Sequence, residues 1–152
     1  MKIDLQIATQ EKNIPSESLF KSWVKAALQG KKQKMEVTIR VVDEPEITEL
    51  NKKYRHKKSP TNVLAFPFQA PPGIKIPILG DIVICAPIAN KEAVEQNKPI
   101  QAHWAHLTIH GVLHLLGYKH STQKDTKEME TLETKILKKL GFLNPYRTLE
   151  HF

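Results

Sequence analysis

The chain has a single cysteine, Cys85, among its 152 residues. An intramolecular disulfide is therefore excluded, and such sparse thiol usage suits a reducing compartment. No apolar run approaches the roughly 18 residues that a membrane span requires. The opening stretch, MKIDLQIATQEK, alternates apolar and polar side chains where a secretory leader would be continuously apolar. Export and membrane insertion are thus not expected, and a cytoplasmic location is. Internal repeats, low-complexity tracts and a domain-sized linker are missing as well. The length fits one domain covering residues 1–152. With 40% hydrophobic and 26% charged residues, that domain can bury a core and is not expected to be disordered.

Acidic residues are also scarce relative to basic ones, 16 against 23, for a net charge of +7 with neutral histidines. A positive surface favours polyanions, RNA included, through phosphate contacts and counterion release. Many small proteins are basic without binding nucleic acid, so charge alone decides nothing. Histidine is the unusual abundance: there are seven, four of them between His103 and His114.

Periodicity gives the elements. Residues 2–8 alternate, with Ile3, Leu5 and Ile7 on one face, and read as a strand. Ser16 is placed to cap a helix carrying Leu19, Phe20, Trp23, Val24 and Ala27, which Gly30 stops. Residues 36–42 read as a second strand. Asp43 and Pro45 open a short helix with an apolar stripe of Ile47, Leu50 and Tyr54. Residues 62–66 and 80–85 read as two further strands, and the proline-rich stretch between them as a loop. Beyond Pro87 the pattern is helical, over about 87–96, 99–116 and 122–140, the last with Met129, Leu132, Ile136 and Leu140 inward. Strands alternating with helices, then a helical second half, predict an α+β domain: a small mixed four-stranded sheet packed by helices.

The segment HWAHLTIHGVLHLLGYKH runs from His103 to His120. On a helix, His110 and His114 lie about 40° apart around the axis and about one turn apart along it, so both imidazoles can hold one ion. Gly117 can end the helix in a left-handed conformation and let the chain return with His120 as a third ligand. This spacing matches the H-E-x-x-H-x-x-G-x-x-H pattern of metzincin peptidases at every position but one. Three neutral imidazoles leave a fourth position open for water, as in catalytic zinc sites, although nickel or another divalent ion would accept the same nitrogens. His106 and His110 form a rival pair at the same spacing, but the Gly117–His120 return favours the later one. His103 lies about 10 Å along the axis from His110 and cannot share its ion with His114. His103 and His106 therefore read as packed, cleft-lining or supporting residues.

The exception to the metzincin pattern is Gly111, which stands where those peptidases carry a glutamate base. Glycine cannot take a proton. Phosphodiester chemistry offers a route without that base, because phosphate oxygens can accept one, and the pattern tilts away from peptide hydrolysis.

The second informative stretch is LNKKYRHKKSPTNVLAFPF, residues 50–68. Lys52, Lys53, Arg55, Lys57 and Lys58 surround Tyr54 and His56. The cluster can attract RNA phosphate, with an aromatic available for stacking. It equally suits the negative end of a helix dipole.

The run HGVLHLLGYKH, residues 110–120, resembles the H-G-x-L-H-L-x-G-Y-D-H signature of the YbeY family of bacterial ribosomal-RNA maturation endoribonucleases. The likeness extends to residues 50–68, LGDIVIC (79–85), KEAVEQNKP (91–99), residues 102–118 and the tail METLETKILKKLGFLNPY, in the family's order. It implies one metal ion on His110, His114 and His120, and a catalytic role for Arg55. It further implies single-strand-specific RNA cleavage in 3′-end maturation of small-subunit (16S) ribosomal RNA and in ribosome quality control. Ribosomal RNA and small-subunit ribosome components are the implied partners. One departure is Lys119, where the family usually has aspartate: lysine adds charge and accepts no hydrogen bond. Two other readings stand beside this one, a metzincin-like peptidase and a non-catalytic ribosome-assembly factor.

Overall fold

A computed structural model describes residues 1–31 and 34–146. Its elements in chain order are β1 (Lys2–Ala8), α1 (Glu17–Leu28), β2 (Glu36–Val42), α2 (Glu44–Arg55), β3 (Val63–Pro67), β4 (Ile78–Cys85), α3 (Ala86–Glu95), α4 (Ile100–Leu115) and α5 (Gln123–Lys139). The predicted α+β class and the four-stranded mixed sheet are both present. Strand order is β1-β2-β4-β3; β1 and β4 flank β2 in parallel, and β3 closes the edge antiparallel to β4.

Local signals account for most boundaries. Ser16 accepts the Leu19 N–H at 3.2 Å and caps α1. The left-handed turn that ends α1 starts one residue before the expected Gly30, at Gln29 (φ 51°). β4 begins at Ile78, two residues earlier than alternation indicates, because it pairs with β2 from Glu36 onward.

The two faces of β4 divide the core. Ile82 and Ile84 join the larger apolar cluster, with Phe20, Trp23, Trp104, Ile109, Leu113, Met129 and Ile136 from the helices. Val83 and Cys85 point the other way, as strand alternation requires, and pack with Val42, Ile47 and Leu64 beneath α2. Tyr54 does not complete the α2 stripe. It is 49% exposed and packs edge-on against Phe66 at 5.2 Å, while Asn51 is buried and ties Ser59 to the helix through a 2.8 Å bond from Nδ2 to the backbone carbonyl.

α4 is the central helix, lying against α1, α3, α5 and the β3–β4 hairpin. Gly111 makes its close approach to the sheet feasible. A Cβ there would sit 2.9 Å from Ile82 Cγ2 and 3.1 Å from Ile82 Cδ1. Glycine at this position therefore has a packing cause: the Ile82 side chain lies where a glutamate side chain would have to start.

Candidate metal centre and substrate cleft

α4 ends in a tight reversal built on Gly117 (φ 104°). The Gly117 N–H donates to the His114 carbonyl and the Tyr118 N–H to the Leu113 carbonyl, both at 3.0 Å. These two bonds form the Schellman closure, which needs a residue at ease with positive φ. The reversal turns the chain back and sets His120 beside the last turn of α4.

His110, His114 and His120 thereby converge. Each offers a ring nitrogen within 4.8 Å of the others. Their ring centroids form a near-equilateral triangle with sides of 4.6, 4.8 and 4.9 Å. The three lie in a graded setting: His110 and His114 are half-buried and His120 is exposed, its Nε2 against the buried Met129 Sδ at 2.9 Å.

Hydrogen bonds fix which nitrogens of His110 and His114 face the centre. His114 Nδ1 lies 3.0 Å from the Tyr118 carbonyl, which can only accept, so Nδ1 carries the proton. His110 Nδ1 lies 3.1 Å from Glu133 Oε1. Burial alone would raise the Glu133 carboxyl, but the hydrogen bonds from His106 and His110 outweigh it and hold the group at about 2. Glu133 is thus a carboxylate that accepts. With Nδ1 the protonated nitrogen of each neutral ring, both Nε2 atoms present lone pairs, and they face each other at 3.0 Å. Burial, followed by the charges that His110 and His120 would carry, pushes His114 down to about 4, and burial and His110 push His120 down as well. Protonation of the His114 ring is therefore disfavoured near neutrality. A divalent cation satisfies facing lone pairs of neutral imidazoles, so the donor set fits the ion that the sequence motif implies.

The rival grouping also exists. His106, His110 and Glu133 have ligand atoms within the same 4.8 Å. Its members already bond to one another: Glu133 takes His110 on Oε1, and His106 Nε2 and the Tyr146 hydroxyl on Oε2, the latter at 2.8 Å. His103 stands apart, buried, with Nε2 on Glu92 Oε1 at 2.9 Å.

A cleft of about 370 Å³ opens in front of His110 and His114. Arg55 lines it from the end of α2, Ala65 and Pro67 from β3, and Lys119 from the reversal. Arg55 does not cap its own helix. Its Nη2 donates to the Ala65 carbonyl at 2.9 Å, and its guanidinium carbon sits 5.3 Å from the Phe66 ring centroid. A residue whose proximity to the histidines is invisible in sequence is thus pinned across β3 at their cleft, with donors to spare after one such bond. Lys52, Lys53, Lys57 and Lys58 are exposed and none lines the cleft; Lys53 lies over the Tyr54 ring at 5.2 Å.

Sequence reasoning missed Glu133 and Tyr146. One signal was available for Glu133: a carboxylate one helical turn from both Met129 and Ile136, on the inward stripe of α5. Such a position is charged only when it has partners. Tyr146 gives no comparable signal, because the turn that brings it back is set by tertiary packing.

Comparison with known proteins agrees with this geometry. The family model described as Endoribonuclease YbeY matches residues 4–141. The chain is also similar to TM1509 from Thermotoga maritima, a protein with a solution structure. The two are 26% identical, with a TM-score of 0.60 over 94% of this chain and 99% of that one. With the fold, the three-histidine centre and a family match over nearly its whole length, the chain belongs to the YbeY endoribonuclease family.

Proposed function

We propose that this chain is a cytoplasmic, single-strand-specific, metal-dependent endoribonuclease that works as one domain over residues 1–152 in 3′-end maturation of small-subunit ribosomal RNA and in ribosome quality control. The observation that carries the reading is the shared cleft: the paired lone pairs of His110 and His114 open on the same space as the Arg55 guanidinium. We assign one zinc ion to His110, His114 and His120; nickel or another divalent ion would suit the same nitrogens. When bound, such an ion supplies Lewis-acid polarisation and an activated water.

The remaining work falls to the chain. Arg55 grips the scissile phosphate, since a guanidinium offers a planar fork and stays charged at working pH. Tethering to Ala65 and Phe66 holds that fork in place before substrate arrives. Lys119 adds positive potential at the cleft rim, and Lys52, Lys53, Lys57 and Lys58 provide diffuse attraction for the polyanion. Gly111 offers no base, and its contact with Ile82 argues against a peptidase of the H-E-x-x-H kind. Phosphate oxygens can accept a proton in its place. Ribosomal RNA and small-subunit components are the partners that this reading assigns.

The test is cleavage of a single-stranded small-subunit RNA precursor by purified protein. Cleavage should stop with chelator, return with zinc, and weaken steeply with salt. Per folded, metal-loaded molecule, Arg55→Ala should lose about 100-fold in rate, and Arg55→Lys should lose clearly but less. Proteolysis without RNA cleavage would reverse the assignment, and wild-type rates in both variants would remove Arg55 from it.

A further inference from the structure

α5 carries a charge where its neighbours require none. Glu133 is completely buried, among Met129, Ile136 and Leu137 of its own helix. A buried carboxylate without partners is strongly destabilising, and replacing it with an apolar residue would remove that cost. Its oxygens are instead occupied by three donors from two parts of the chain. His110 and His106 approach from α4, and the Tyr146 hydroxyl approaches from the segment after α5. The arrangement converges on one ring. Glu133 touches Nδ1 of His110, while His114 faces Nε2 on the opposite side of the same imidazole. Glu133 therefore cannot join His110 Nε2 and His114 Nε2 around one ion in this geometry; it stands behind the ligand.

We propose that Glu133 is a positioning residue for the metal centre: it holds His110 in the tautomer protonated at Nδ1, fixes the ring's rotation, and leaves Nε2 aimed at the ion. Its negative charge makes the imidazole a stronger donor, as carboxylates behind metal-bound histidines generally do. His106 and Tyr146 keep the carboxylate from turning away. His106 is thus part of the support for the ligands rather than a ligand. The proposal rests on the metal assignment to His110, His114 and His120.

The experiment is zinc titration by calorimetry on wild type, Glu133→Gln and His114→Ala, with melting of each metal-free protein. Glu133→Gln keeps shape and an acceptor but removes the charge. It should bind zinc about 10–100-fold more weakly while the metal-free protein still melts cooperatively. Unchanged zinc affinity in Glu133→Gln, with affinity lost in His114→Ala, would overturn the positioning role and leave the metal site standing. Retained affinity in His114→Ala would instead strike at the metal assignment itself. Wild type supplies a second readout should Glu133→Gln fail to fold. Long-range proton–nitrogen correlation NMR of the imidazoles should find His110 protonated at Nδ1, and protonation at Nε2 would overturn the proposal.

Discussion

The two ends of α4 carry the same residue type on one stripe and treat it differently. Near the N-terminal end, His103 is buried and bonded to Glu92, whose carboxylate also accepts from Asn62 Nδ2 at 3.1 Å. Neighbouring Trp104 donates to Asn90 Oδ1 at 2.8 Å. That end joins α3 and the start of β3 to the helix. At the C-terminal end, His110 and His114 bond outward through Nδ1 and turn Nε2 toward each other. His103 has no second imidazole facing it and fastens α3 to α4 through its Nε2, whereas His110 and His114, each anchored through Nδ1, direct Nε2 to a common point. Helical spacing is alike at both ends, so the partners of each ring decide between these roles.

The sharpest way to break this contrast is to remove one histidine from each end. His114→Ala should lose most bound zinc and at least about 100-fold of RNA cleavage, because the ion and its chemistry go together. His103→Ala should keep about one zinc per chain, yet lose about 1–3 kcal/mol of stability as Glu92 loses its buried partner. Metal analysis and denaturant melts read both. Zinc loss in His103→Ala would erase the distinction between the ends.

Acid should separate the groups by pH. His114 is held at about 4 in the folded protein against an ordinary value of 6.5, so the unfolded chain binds more protons between those values. In metal-free protein its contribution is fully present above about pH 6.5 and is lost as pH falls toward about 4. Glu133, held at about 2 against 4.5, contributes above about pH 4.5 and loses that contribution as pH falls toward about 2. Melting temperature against pH should therefore decline in two successive windows. In His114→Gln the upper decline should shrink while the lower one persists; an unaltered upper decline would assign it elsewhere.

The smallest effect concerns the helix between the two ends. Gly111→Ala brings a methyl within 2.9 Å of Ile82, which costs about 1–3 kcal/mol by overpacking, while alanine returns about 1 kcal/mol of helix propensity. The net expectation is a loss of about 1 kcal/mol, read from denaturant midpoints, with zinc still bound. A stabilised variant would mean that α4 can lift from the sheet at no cost.

Much of this molecule is determined by local sequence alone. Alternation places β1 and β2 at their observed residues, and Ser16 starts α1, because backbone pairing and capping act over a few residues. The His110–His114 pair and the Gly117 reversal belong to the same class: a helix sets the first by its pitch, and glycine permits the second by its conformational freedom. Tertiary structure decided the rest. The order β1-β2-β4-β3, the pinning of Arg55 to Ala65 beside the histidines, and the meeting of Glu133, His106 and Tyr146 all join residues far apart in the chain. Gly111 shows the division at one residue. The sequence marks it as a missing glutamate, and only the packed fold shows that α4 lies so close to Ile82 that a side chain there would collide with it. Local periodicity cannot report such distances, because they are set by how whole helices and sheets fill the space between them.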